Sequence, residues 1–166
     1  MSGFTSSSNA NGVRDTKSMF KAVFISSFTS LIDWPSEYRK GQFIIEVYDV
    51  NDALFDLLIK RSAGRAIGSQ EIKIVKYNPS KQIKSHIIYV SKYYSNKLTK
   101  IETSIQNKST LLISDKPGDL KKGPTINFVI DKNKNNKLAF EIDRGHAKKH
   151  NLILASKLNS IAIKVK

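Results

Sequence analysis

His146 and His150 are the first residues whose types and spacing suggest chemistry. Four positions apart, they fall on one face of a helix, as two zinc-binding imidazoles do. Between them stand Ala147, Lys148 and Lys149. The glutamate that an HExxH metalloprotease uses as its base is missing, and two lysines beside the pair repel a dication. Two ligands also fall short of the three or four that zinc takes. We read both as solvated helix residues and assign no metal site. His86 opens an apolar strand with no partner near it in sequence, so its expected role is structural. Ser114 and Asp115 have the residue types of a hydrolase, but Pro117 and Gly118 follow, and the four read as a strand end and turn. Asp49, Asn51 and Asp52 follow another apolar stretch. They could hold a cation or phosphate at a strand's carboxyl end; the plainer reading is the cap of the next helix.

Other chemistries find no residues. There is no Gly-rich dinucleotide fingerprint, no phosphate-binding P-loop and no GxSxG nucleophile elbow. Without cysteine the chain forms no disulfide, thiolate metal site or cysteine nucleophile. No catalytic residue and no cofactor are assigned, and the chain is read as a protein that is not an enzyme.

The elements that would position these residues follow from periodicity. From Asp15 to Ile32 the apolar residues Phe20, Val23, Phe24, Phe28 and Leu31 recur at helical spacing. Asp15 or Thr16 is the expected cap, and Trp34 beside Pro35 is an expected core anchor. Phe43–Tyr48, Glu71–Lys76, His86–Val90 and Thr110–Ser114 read as strands, with helices over 53–63 and 92–105. Then two alternating segments appear. Ile126, Phe128 and Ile130 share one face, as do Leu138, Phe140 and Ile142, with the Asn-rich 131–136 between them, which predicts an antiparallel hairpin. Asp143 is the expected N-cap of the next helix and Asn151 its left-handed end. Leu152–Leu154 is extended, and Ser156 is expected to cap a last helix.

Strands alternating with helices predict an α/β fold: three layers, a mainly parallel open sheet of about six strands with a C-terminal antiparallel hairpin, and helices on both faces. At 166 residues this is one domain, 15–166, behind a small, polar stretch, 1–14, read as a flexible leader. That stretch lacks the basic and apolar regions of a signal peptide, and no apolar run approaches the ~20 residues that cross a bilayer. The formal charge of +14 suits an acidic partner, an anionic lipid surface or nucleic acid. The cations are mostly lysines scattered along the chain, whereas base readers favour clustered arginine. Nucleic-acid binding is therefore the weakest of the functional readings.

Two blocks carry a family resemblance. KAVFISSFTSLIDWP, from Lys21 to Pro35, resembles the opening block of the YfiR-like family, roughly KAxFIYNFxKFxxWP. The stretch SDKPGDLKKGPTINFVI, with KLAFEIDRGHAKKHNLILASKL after it, resembles its closing block, roughly SDxPGFxxxGGxINF and FEINxxxAxxxGLxLSSxLL. Together they span about Lys17 to Ile163. Ser26 and Ser27 replace a tyrosine-asparagine pair, Asp119 a phenylalanine and Pro124 a glycine. Asp143 replaces asparagine, and Asn151 replaces glycine.

The resemblance implies a periplasmic, non-catalytic α/β protein, often dimeric, acting in cyclic-di-GMP signalling and biofilm control. It would inhibit a membrane-anchored diguanylate cyclase, or modulate a sensor kinase, by binding its periplasmic domain, and an OmpA-like lipoprotein could sequester it. The chain would then be a mature form without its signal peptide. By resemblance, Phe128 and Glu141 are the expected partner-binding residues, while Lys21, Trp34 and Asn127 serve structure. The alternative from another class is a small-molecule sensor, binding at the carboxyl ends of the strands beside Asp49, Ser91 and Asp115.

Overall fold

Asp15 does not open the first helix. In the computed structural model, which describes residues 7–166 and the side chains from Thr16 onward, α1 runs Ser7–Leu31. Asp15 and Thr16 therefore lie inside it rather than at its start. Of the stretch expected as a leader, residues from Ser7 on are helical, and 1–6 lie outside the described residues.

After α1 come β1 (Ile32–Asp33), β2 (Phe43–Tyr48), α2 (Ala53–Ser62), β3 (Ala66–Ile67), β4 (Gln70–Lys76), β5 (Ile87–Val90) and α3 (Leu98–Ser104). The chain continues through β6 (Leu111–Ser114), β7 (Ile126–Asp131), β8 (Lys137–Ile142), α4 (Arg144–Lys149), β9 (Ile153–Leu154), α5 (Ser156–Ile161) and β10 (Lys164–Val165). The main sheet has eight strands in the order β10-β8-β7-β6-β5-β2-β4-β3, while β1 and β9 form a separate antiparallel pair. From β4 through β2, β5 and β6 to β7 all pairings are parallel. All six strands expected from periodicity are present. The additional β3 and β10, two residues each, are too short to show a period. Because β4 lies on one side of β2 and β5 on the other, the winding reverses between β2 and β5.

The two faces are built differently. Ile87 and Tyr89 of β5 join a core beneath α1, α2 and α5, whereas Ile88 and Val90 join a smaller core beneath α3. The expected helix over 92–105 is shorter than its pattern. Tyr94 leaves helical geometry, at φ −111°, and stacks on Tyr48 with centroids 3.8 Å apart, so Lys92–Lys97 is a tighter 3-10 turn and α3 begins at Leu98.

The hairpin overhangs the sheet. β7 pairs with β6 only through Ile126 and Asn127, and β8 meets β10 only at Glu141 and Ile142. Beyond these roots β7 and β8 are a two-stranded ribbon, which is marginal alone. α1 supports it. Phe24 and Phe28 each meet Phe140 edge-on at 5.2 Å, and Phe28 lies 6.3 Å from Phe128. Phe28, Phe128 and Phe140 are at most 1% exposed. In the turn, Asp131 Oδ1 accepts from Asn133 N at 3.0 Å, and Asn135 and Asn136 take φ near 55°.

At the other end of the sheet, Trp34 packs edge-on against Phe43 at 5.0 Å, and Phe43 stacks on His86 at 4.2 Å. His86 Nδ1 accepts from Ile44 N at 3.1 Å, so Nε2 carries the hydrogen and donates to the Tyr38 carbonyl at 2.6 Å. Burial holds its pKa below the ordinary value. Both Trp34 and His86 are core residues, as expected. Asp143 caps α4 by accepting from His146 N at 3.0 Å, and Asn151 ends it at φ 55°. Ser156 is the first residue of α5 rather than its cap; Ala155 holds that position without a side-chain bond.

Replacing Phe28 with alanine removes the ring that packs on both Phe128 and Phe140. The expected cost is about 3–5 kcal/mol, read as a lower urea midpoint at unchanged m-value.

Candidate functional site

Three strand ends proposed from sequence as a ligand-binding rim follow neighbouring strands: Asp49 after β2, Ser91 after β5 and Asp115 after β6. Ser91 is 3% exposed, and its hydroxyl has no partner, although its amide donates to the Tyr48 carbonyl at 2.9 Å. Asp49 Oδ1 accepts from the next amide, Val50 N, at 2.7 Å. The capping of α2 falls to Asn51, whose side-chain oxygen accepts from Ala53 N at 3.1 Å, while Asp52 pairs with Lys76 at 3.0 Å on the exposed surface.

Asp115 is the centre of the first cluster. One of its oxygens receives Lys21 Nζ from α1 and the Tyr89 hydroxyl from β5. Burial pushes the Asp115 carboxyl up from its ordinary value, against the opposing pull of Lys21 and Tyr89. Burial, then the charge of Asp115, raises Tyr89 well above the ordinary phenol value, so Tyr89 remains the donor. Ser114 has no base beside it: its hydroxyl donates to Asn127 Oδ1 at 2.7 Å, and the residue is fully buried. The cluster ties α1 to the sheet rather than activating a nucleophile. Tyr89 escaped notice in the sequence; the signal was a hydroxyl inside an otherwise aliphatic strand, which must find a partner when buried.

Asn127 joins that cluster to the hairpin. It is 0% exposed, and all four of its hydrogen-bonding positions are used. Oδ1 accepts from Ser114 Oγ and from Lys116 N at 3.3 Å, and Nδ2 donates to Lys116 O at 2.9 Å and to Glu141 Oε1 at 3.2 Å. Glu141, expected to bind a partner, is partly buried at the hairpin's root with this one bond. Phe128, expected to bind with it, is 1% exposed among the rings beneath α1, so its side chain offers no outer surface in this conformation. The structure does not bring the two side chains together, because Glu141 pairs with Asn127 and Phe128 with Phe140, and successive cross-strand pairs point to opposite faces.

The histidine pair departs from its expected setting. His150 is 1% exposed rather than solvated. Its Nδ1 lies 2.7 Å from the Lys108 carbonyl and its Nε2 3.2 Å from Glu102 Oε1. Two acceptors facing two ring nitrogens are both satisfied only by the imidazolium, which has a hydrogen on each. Burial opposes that charge, but the bonds to Glu102 and Lys108 outweigh it and raise the pKa. Burial likewise opposes charge on Glu102, and His150 with Lys149 reverses it, leaving the carboxyl below its ordinary value. Gly123, at φ +116°, roofs the glutamate: a Cβ there would sit 2.7 Å from Glu102 Cγ. His146 is partly buried, with Nδ1 2.7 Å from the Pro124 carbonyl. Among the described residues no three His, Cys, Asp or Glu side chains converge for a metal ion.

The fold and these clusters define a class: an open, doubly wound α/β domain whose polar side chains are spent on joining elements. Among solved structures, a conserved domain protein from Vibrio cholerae O1 biovar El Tor is similar at 11% identity and TM-score 0.58, over 90% of this chain and 60% of that one. An ABC domain from Streptococcus pneumonia, in complex with L-Trp, is similar at 10% identity and TM-score 0.57, over 90% and 62%. The chain thus spans about three-fifths of either neighbour. No protein of curated function matches it. The YfiR/HmsC-like family model matches residues 18–163, and the chain belongs to that family. Among the described residues no helix is long and apolar enough to cross a membrane.

Because His150 has a raised pKa, its contribution to stability is complete below its unfolded value near 6.5 and is lost as pH rises through the folded value. Glu102 on α3, Lys149 on α4 and the Lys108 carbonyl are the groups that face it. His150→Gln is expected to cost about 3 kcal/mol at acidic pH, as loss of one partner of a buried pair does. The gap from the parent chain should narrow towards pH 9, measured by urea unfolding at each pH.

Proposed function

We propose that the protein is a periplasmic regulatory binding protein that holds a membrane-anchored signalling enzyme, of the diguanylate cyclase type, in its inactive state by docking on its periplasmic domain. The observation that carries this reading is the YfiR/HmsC-like match over residues 18–163. The Asp115 and Asn127 clusters agree with it physically, since their side chains are committed to partners inside the fold. Regulation without chemistry needs only a surface that prefers one state of the target. Glu141 supplies the charge on that surface. Phe128 acts from beneath, fixing the hairpin against α1. An OmpA-like lipoprotein competing for the same surface would relieve inhibition, and a homodimer would present it twice.

The test is coexpression with the cyclase encoded nearest to it in the source genome. The full chain should lower cellular cyclic-di-GMP and co-purify with the enzyme. Glu141→Gln keeps the bond from Asn127 but removes the charge, and should weaken association about tenfold or more. A chain that folds, reaches the periplasm and leaves cyclic-di-GMP unchanged defeats the reading.

A second reading, a small-molecule sensor, is favoured by the unpartnered Ser91 hydroxyl at the point where the winding reverses, the usual ligand position in open α/β sheets. The similarity to a domain solved with L-Trp points the same way. A ligand there should raise the melting temperature in a screen of amino acids and nucleotides, and the rise should vanish in Ser91→Val. A screen without a shift counts against it.

A further inference from the structure

The C-terminal segment of the chain carries a surface that neither reading uses. From Arg144 to Lys166 there is no aspartate or glutamate, and the cations are Arg144, Lys148, Lys149, Lys157, Lys164 and Lys166. A cavity of about 440 Å³ opens between α4, β9 and α5. Arg144 and Lys148, one turn apart on α4, line it with Leu152, Ile153 and Leu154 and with Asn159 of α5. No acid lines it. The adjacent Asp143 is 8% exposed and engaged with the His146 amide, so the two cations lack a carboxylate among the lining side chains.

Three features select the occupant. Arg144, Lys148, Asn151 and Ile153 are all exposed, so the cavity is an open groove. It does not enclose a small molecule to the ~70–90% typical of ligand pockets. Ile153 is 67% exposed, and its strand β9 is paired on the β1 side only. An open strand edge beside an apolar side chain is the footing on which an extended peptide adds a strand. Lastly, Asn159 buries its side-chain oxygen without a donor, which carries a desolvation cost. A donor brought by an occupant of the groove would relieve that cost.

We propose that the groove between α4, β9 and α5 docks an extended acidic polypeptide segment bearing an apolar side chain. Its carboxylates meet Arg144 and Lys148, its apolar group lies on Leu152–Leu154, and its backbone pairs along β9. The site is separate from Glu141.

The probe is a fluorescein-labelled peptide of alternating glutamate and leucine, titrated with the full chain by anisotropy at roughly physiological salt. Binding should be saturable, and R144E/K148E should weaken it by about tenfold or more. A serine-for-leucine peptide should bind comparably weakly. K97E/K100E, a charge reversal outside the lining, and E141Q should each stay within about twofold of the parent chain. Circular dichroism melting confirms that each variant is folded. Equal weakening by K97E/K100E, or equal binding of the serine peptide, shows diffuse charge attraction alone and overturns the proposal. So does displacement of the leucine peptide by phosphatidylcholine–phosphatidylglycerol vesicles in an Arg144- and Lys148-dependent way, which makes the surface lipid-binding. Loss in E141Q overturns the separateness of the two sites. Peptide binding that survives when cyclase regulation fails leaves the groove standing without the regulatory reading.

Discussion

A ribbon of two strands does not stand unaided in water, and that constraint organises this molecule. Beyond Asn127 on one side and Glu141 on the other, the hairpin of β7 and β8 has no neighbouring strand. Its stability comes from one face laid against α1, where four phenylalanines meet. The ion pair of Lys21 with Asp115 fixes the same helix at the rim of the sheet. Asn127 fixes the ribbon's root by spending every hydrogen-bonding position it has. Helix, rim and ribbon are thus one mechanical unit, and the surface around Glu141 inherits its shape from it.

The difference between Asn127 and Phe128 shows why adjacent residues in a strand take different work. One side chain turns to the polar seam between Ser114 and Glu141, the other to the rings under α1. The alternation that made the hairpin readable also separates the two residues that the family resemblance had paired. A buried polar seam and an apolar core are served by successive positions of one pleat.

What was legible in the sequence is what repeats locally. The six longer strands announced themselves by apolar alternation or apolar runs, and Asp143 and Asn151 marked the two ends of α4. What was not legible depends on distant partners. His150 meets Glu102 and Lys108 more than forty positions upstream, and no spacing encodes that contact. The two histidines four apart looked like a pair, yet each turns to a different carbonyl. Strands of two residues, β3 and β10, have no period to read. The lysines looked scattered because the eye followed where they are. The informative feature was where carboxylates are not, from Arg144 onward.

The two fully enclosed imidazoles pull in opposite directions. His86 accepts through one nitrogen and is held bare of its extra proton, so its share of stability fades as the medium acidifies. His150 is held with the extra proton, so its share fades as the medium turns alkaline. Each sits at a different end of the chain's wiring, one fastening the loop after α1, the other fastening α4 to α3. The two windows meet at the unfolded histidine value near 6.5, so together they place the greatest stability there. A protein built this way loosens on either side of that point, at the His86 fastening as the medium acidifies and at the His150 fastening as it turns alkaline.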